Sequence, residues 1–383
     1  MLRGAELWLS SYLRHPKRRQ FDSPTDVMIA VCDHFEPFHH SDKSGALRRV
    51  ADWEERFPKL GDQFRDTDGH APKQTLFYPI EQYDEDVLDQ IAALCRNSGS
   101  EVEIHLHHDN DTEENFRAVI EQGKRDFERH GLLNLDASKR LTYGFIHGNW
   151  ALDNSDPSGR NCGLQREVQI LKETGCYADF TMPSAPHPTQ TRTVNQIYYA
   201  AETNAPKSHD SGFRLQAKDK RANAPKLPSG TAELRSRIDH LLMVQGPLGL
   251  NWQRRKWGLL PRLENADLTG ANPPTRDRWK IWTENAIHVQ GQPSWLFIKL
   301  HTHGAINPNR AMLLGSPMES FHAELKKLCG PETPFRLHYV SAREMVNIIH
   351  AAEDGNQGNP DDYRNYLISS RIEFAAGALP RSS

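Results

Sequence analysis

The sequence predicts an α/β fold, specifically an irregular (β/α)7-8 barrel with loop insertions, and three observations carry that prediction. Short apolar, β-branched runs alternate with longer stretches in which apolar residues recur at helical spacing. The alternation lapses in two places, one rich in proline and one basic and aromatic, and each lapse follows a predicted strand. Histidines and acids gather immediately after the apolar runs, at what would be strand exits. Repeated β/α units imply a parallel sheet, and a chain of 383 residues can hold one large barrel.

The first strand is predicted at 26–33, where DVMIAVCD is apolar and ends abruptly in polar residues, as a strand buried on both faces should. A helix follows over 46–64, with Leu47, Val50, Trp53, Phe57, Leu60 and Phe64 on one side. The pattern then repeats as strand 74–80 and helix 85–96, strand 102–107 and helix 112–130, strand 141–146 and helix 164–173, and strand 177–181. After the lapse it resumes with strand 241–244, helix 276–288, strand 295–300, helix 318–328, strand 335–339 and helix 342–352. The implied organisation is an N-terminal segment 1–25, a barrel over 26–353 with insertions at about 183–238 and 251–274, and a C-terminal tail 354–383. Insertions that follow strands belong on the face where barrel chemistry collects.

Composition narrows the class. Hydrophobic residues make up 37% and charged residues 25%, enough for a core and too apolar for disorder. The net charge of −3 offers no general field for nucleic acid, so no nucleic-acid partner is expected. No apolar run approaches the ~18 residues of a membrane span. The five cysteines are scattered, with no CxxC pair, which suits a reducing compartment and a cytoplasmic location. Leu2, Ala5, Trp8, Leu9 and Tyr12 share one helical side ahead of a basic cluster. That segment either packs across the barrel bottom or makes a peripheral membrane contact.

The polar residues fall where a barrel enzyme needs them. Asp33, His34 and Glu36 follow the first strand, and Glu81 and Gln82 follow the second. His105, His107, His108 and Asp111 cluster at the third exit, His147, Asn149 and Trp150 at the fourth, Asp179 on the fifth strand, and His301 and His303 on a late one. Side chains two apart leave a strand on the same face, so His105 and His107 suit two metal ligands, or one ligand and a group that supports it. Asp111 fits a helix cap as well as it fits a ligand, because Glu114 stands three residues on. Trp150, Trp252 and Trp257 suit either sugar stacking or loop packing.

In order and placement these motifs resemble the polysaccharide deacetylase family, over roughly residues 26–350. HGNWALDN and TGCYADFTMPSAP are similar to strings in deacetylase-like proteins encoded with surface-polysaccharide assembly enzymes. The resemblance implies an irregular, partly open (β/α) barrel and one divalent metal ion, Zn. It implies metal ligands His34, His107 and Asp111, with His105 as the alternative ligand. Asp33 would be the general base, His301 the general acid with His303 as a second candidate, and Asp179 the acid that orients an imidazole. His147 would support the oxyanion, and Asn149, Trp150 and His303 would line the substrate groove. Three motifs depart from the family pattern: His34 stands for an acid, Asp111 for a histidine and His147 for an arginine.

The implied reaction is hydrolysis of an N-acetyl group on an amino sugar of a polysaccharide or glycan precursor. The alternatives are a non-catalytic carbohydrate-binding relative and a hydrolase of another C–N bond.

Overall fold

The structure, a computed structural model, describes residues 4–218 and 230–375. Leu2 and part of the first expected insertion, including Pro225 and Pro228, lie outside the described residues. The core of the fold is one curled, mostly parallel sheet. Its parallel strands are β1 (Thr25–His34), β2 (Thr75–Pro79), β3 (Glu101–Leu106), β4 (Leu141–His147), β5 (Cys176–Asp179), β6 (His240–Val244), β7 (Trp295–Thr302) and β8 (Phe335–Tyr339). Each predicted strand forms within a residue or two of its expected bounds, as short β-branched runs between helices should.

The lateral order is β7-β1-β2-β3-β4-β5-β6. One side of β1 is taken by β7 along residues 26–33. The other side is shared: residues 25–29 pair with β8, and residues 32–34 pair with β2. Two antiparallel strands, Ile197–Ala201 and Phe213–Arg214, extend the sheet beyond β6, so the proline-rich stretch is partly sheet rather than loop. Among the described strands the hydrogen-bonded ladder does not close on itself. The sheet nonetheless curls until the turn after β6 touches β7, for a Cβ on Gly246 would lie 2.4 Å from the Lys299 carbonyl oxygen.

Side-chain alternation divides the sheet into an outer and an inner face. Val27, Ile29 and Val31 join Val50, Trp53 and Phe57 of the helix Lys43–Gln63 in an outer core. Met28, Ala30 and Cys32 pack inside against Phe77, Phe180 and Phe297. By the same period Asp33 and His147 leave on the outer face, whereas His34, His105, His107, Lys299 and His301 leave on the inner one. The helix Ala342–Glu353 is buried at every position and fills the inner core with Met345, Val346, Ile348 and Ile349. Residues after it are tied down. Arg364 donates to the Tyr339 carbonyl at 2.7 Å, and Ile368–Ser370 pairs with Asn134–Asp136.

The second expected insertion is an antiparallel hairpin, Gly249–Lys256 with Leu260–Glu264, which exposes Trp252 at an irregularity in its first strand and Trp257 and Leu259 at its tip. A helix at Ala5–Arg14 buries Trp8 against Ala185, Val194 and Leu248. Ala185 and Leu248 follow β5 and β6, so this helix packs at the site-bearing end of the barrel and not across its bottom, and the Trp8 face meets protein. No helix among the described residues is long and apolar enough to cross a membrane.

Candidate functional site

The inner faces of β1, β3 and β7 end in a group of imidazoles around one carboxylate. Glu36, at the exit of β1, is 8% exposed. Its Oε1 lies 3.1 Å from His105 Nε2 and 3.4 Å from His107 Nε2. The other nitrogen of each ring is already committed: His105 Nδ1 is 2.8 Å from the Ile146 carbonyl, and His107 Nδ1 is 2.7 Å from Glu81 Oε1. A carbonyl only accepts, so His105 carries a hydrogen on Nδ1 and points its Nε2 at Glu36. Two ring nitrogens and a carboxylate oxygen thus converge with their outer sides held by acceptors, which is the arrangement that orients histidine ligands around a metal.

The electrostatics agree with a site short of positive charge. Burial pulls the His107 imidazole down, but hydrogen bonds to Glu36 and Glu81 outweigh it and raise its pKa to about 9. Burial likewise opposes ionisation of Glu36, and its bonds with His105 and His107 hold it well below the carboxylate range. A proton on His107 satisfies the group without an ion, and the His34 and His303 rings lie beside it. The His34 ring lies 5.1 Å from His105 and 4.6 Å from His303, and His34 Nε2 is buried with no hydrogen-bond partner. Burial and the neighbouring His303 and His105 keep His34 neutral, well below its usual pKa. A neutral ring with an unused inward nitrogen is what a ligand offers. Glutamate and histidine donors suit zinc or a similar divalent ion.

Backbone detail fixes the rings. A Cβ on Gly148 would lie 2.3 Å from His107 Cδ2, so glycine alone lets the ring rest on the exit of β4. Beside it Trp150 sits at φ 55°, a left-handed conformation rare for a bulky residue. Its indole is 6.5 Å from the His303 ring and its Nε1 has no hydrogen-bond partner.

The remaining expected site residues divide sharply. Asp33 is fully buried on the outer face, where its Oδ1 accepts the Gly304 N–H at 2.6 Å. Burial raises its pKa to about 7. It therefore fixes the turn that carries His303. His301 lies below the group, 6.3 Å from the His34 ring, with Nδ1 unpartnered and its pKa pushed well down by burial and Lys299. Asp179 accepts from both the backbone N–H and the hydroxyl of Thr181, and that hydroxyl in turn accepts the His147 N–H, so it supports β4 and touches no imidazole. Asn149 is exposed and bonds to Asn161. Asp111 faces His108 Nδ1 at 3.2 Å, and its other oxygen accepts from Thr112 and Asn115. His34, His107 and Asp111 are not brought together: His34 and His107 flank His105, and Asp111 falls outside the group. His147 turns away with the outer face. Trp252 and Trp257 stand exposed on the hairpin, whereas Trp150 is at the mouth.

Sequence reasoning placed Glu36 and Glu81 at strand exits but gave neither a role in the site. The signal was that Glu36 follows His34 by two residues, which returns it to the same side of an extended chain. Lys299, buried with its Nζ donating to the Met182 carbonyl at 2.9 Å, gave no signal beyond a lysine in an apolar strand.

Fold and site together define an open (β/α) barrel with a histidine-carboxylate centre at its mouth. No family model and no curated protein matches the chain. Among solved structures, a candidate polysaccharide deacetylase from Mycobacterium smegmatis is similar over 88% of this chain and 94% of that chain, at 12% identity and a TM-score of 0.44.

Proposed function

We propose that this chain is a metal-dependent hydrolase that removes an N-acetyl group from an amino sugar of a polysaccharide or glycan precursor. The observation that supports it is the convergence of His105 and His107 Nε2 on one Glu36 oxygen, with Ile146 and Glu81 behind them. In this reading Glu36, His105 and His107 hold the ion, with His34 as a further donor. A divalent ion bound there would lower the pKa of a water and polarise the acetyl carbonyl.

The chain's own residues supply the rest. His303, partly exposed and beside His34, is placed to accept and return a proton at the mouth, and burial together with His105 keeps its pKa below the usual value despite Glu36. Asp33 holds that histidine's turn through Gly304. His301 waits deeper with a free Nδ1, and Trp150 offers an aromatic face with a donor at its edge to a pyranose ring. Four of the five cysteines are buried and all five are unpaired, in keeping with a reducing compartment such as the cytoplasm.

The test is metal analysis of purified protein alongside acetate release from N-acetylated oligosaccharides. Glu36→Gln and His107→Ala are expected to lose the ion of this inner group together with turnover, and His303→Gln turnover with that ion retained. Wild-type metal content in Glu36→Gln would sink the proposed centre, and metal without acetate release would sink the proposed substrate.

A further inference from the structure

On the outer face of the sheet, behind the candidate site, a second group of donors meets that the reaction proposed above does not use. His108 follows β3, His147 ends β4, Cys162 lies in the long connection after β4, and Glu167 opens the helix Glu167–Glu173. Glu167 Oε1 is 3.2 Å from His108 Nε2 and 3.4 Å from His147 Nε2, and Oε2 is 3.4 Å from Cys162 Sγ. One donor atom from each of the four lies within 4.8 Å of every other. Ligands around a tetrahedral zinc, at ~2.0–2.1 Å for nitrogen and ~2.3 Å for sulfur, stand about 3.3–3.8 Å apart, so a small contraction completes the shell.

Three details separate this group from a buried ion pair. His147 is fully buried, and its Nδ1 faces the Gly148 carbonyl at 2.6 Å, so the hydrogen sits there and Nε2 points inward with no hydrogen-bond partner. His108 Nδ1 makes no hydrogen bond, but Asp111 Oδ2 lies 3.2 Å from it, a carboxylate charge that favours a cation held through the other ring nitrogen. The Cys162 sulfur accepts backbone N–H groups from Asn154 and Leu164 at 3.3 and 3.4 Å, donors that stabilise negative charge on sulfur. Two imidazoles, a carboxylate and a thiolate form a closed shell with no position left for substrate, which is the mark of a structural site rather than a catalytic one.

We infer that His108, His147, Cys162 and Glu167 bind a second, structural zinc ion. The ion pins the connection 148–166 to the exits of β3 and β4, and that connection carries Asn149 and Trp150. Binding releases the thiol proton and any proton on the two imidazoles to solvent.

The full-length protein, loaded with zinc or cobalt(II), provides the test. Wild type is expected to bind two ions, and its cobalt form to show the ultraviolet sulfur-to-cobalt charge-transfer band. Cys162→Ser should bind one ion and lack the band, whereas His107→Ala, altered only at the inner group, should bind one ion and keep it. Should Cys162→Ser fail to fold, the wild-type cobalt spectrum decides alone: absence of the sulfur band overturns the inference. It is overturned equally if Cys162→Ser keeps the wild-type metal content. Loss of metal from His107→Ala with the band retained would leave this site standing whatever becomes of the inner one.

Discussion

Glu81 does not face the inner site, yet it should control the metal. Its Oε1 accepts from His107 Nδ1 at 2.7 Å and lies 3.4 Å from the same residue's backbone nitrogen, fixing both the tautomer and the ring. Groups that support a metal-bound histidine in this way are worth about 10–100-fold in affinity, or ~1.4–2.7 kcal/mol. The Glu81 side chain is 29% exposed, so solvent weakens its charge while leaving its acceptor geometry intact. Glu81→Gln keeps an acceptor oxygen and loses only the charge, so the expected loss is near ~10-fold; Glu81→Ala loses the acceptor as well and should approach ~100-fold. Competition of each variant with a chromogenic zinc chelator, at fixed pH and salt, gives the affinities directly. Unchanged zinc affinity in both variants would refute the assignment of His107 as a ligand. Equal losses in both would refute the part given to the acceptor geometry and leave the charge of Glu81 as the cause.

Three further outcomes follow from the structure. His338 lies between Asp26 at 3.0 Å and Asp68 at 2.7 Å, and these bonds overcome the effect of burial to raise its pKa to about 9. A folded pKa above the unfolded 6.5 stabilises the protonated fold, so this contribution, at most ~3 kcal/mol, is complete below pH 6.5 and disappears as pH rises through about 9; urea titrations should show that slope in wild type and lose it in His338→Gln. Gly148→Ala would place a Cβ against His107 Cδ2 and should lower zinc affinity with far less effect on melting temperature, and normal affinity in a folded variant would contradict the packing described. Trp8→Ala, at 1% exposure, should cost ~3–5 kcal/mol, whereas Trp257→Ser, at 78%, should change stability by no more than ~0.5 kcal/mol, both measurable by thermal denaturation.

Most of the barrel was legible because its signal is local. The run 26–33 could be nothing but a buried strand, and the stretch 46–64 carries its helical stripe in plain view. The hairpin Gly249–Lys256 with Leu260–Glu264 was less visible, since an exposed hairpin lacks a buried face to impose alternation. At the site, sequence picked out the strand exits but not how their residues group. Which histidine meets which acid depends on the alternation of each strand and the curl between strands: His107 and His108 are adjacent in sequence, yet one turns to Glu36 inside and the other to Glu167 outside. Asp33 shows the same limit, for an acid next to a histidine at a strand end looks catalytic until the strand's parity places it behind the sheet. Glu167 was the hardest case, a glutamate in a helix's first turn whose value lies wholly in what the fold sets beside it.

The sharing of β1 between β7 and β8 also bears on how the chain is made. Residue 26 finds its partners at residues 295 and 336, so for most of synthesis the central strand has one edge bare along nearly its whole length. Glu36, His105 and His107 come from β1 and β3, which β2 joins early, whereas His301 and His303 arrive with β7. A growing chain can therefore assemble the three inner donors long before the barrel mouth is complete. Such long-range closure slows folding and leaves an adhesive strand edge uncovered meanwhile. Expression at reduced temperature, with zinc supplied during growth, should raise the soluble yield of this protein more than either measure alone.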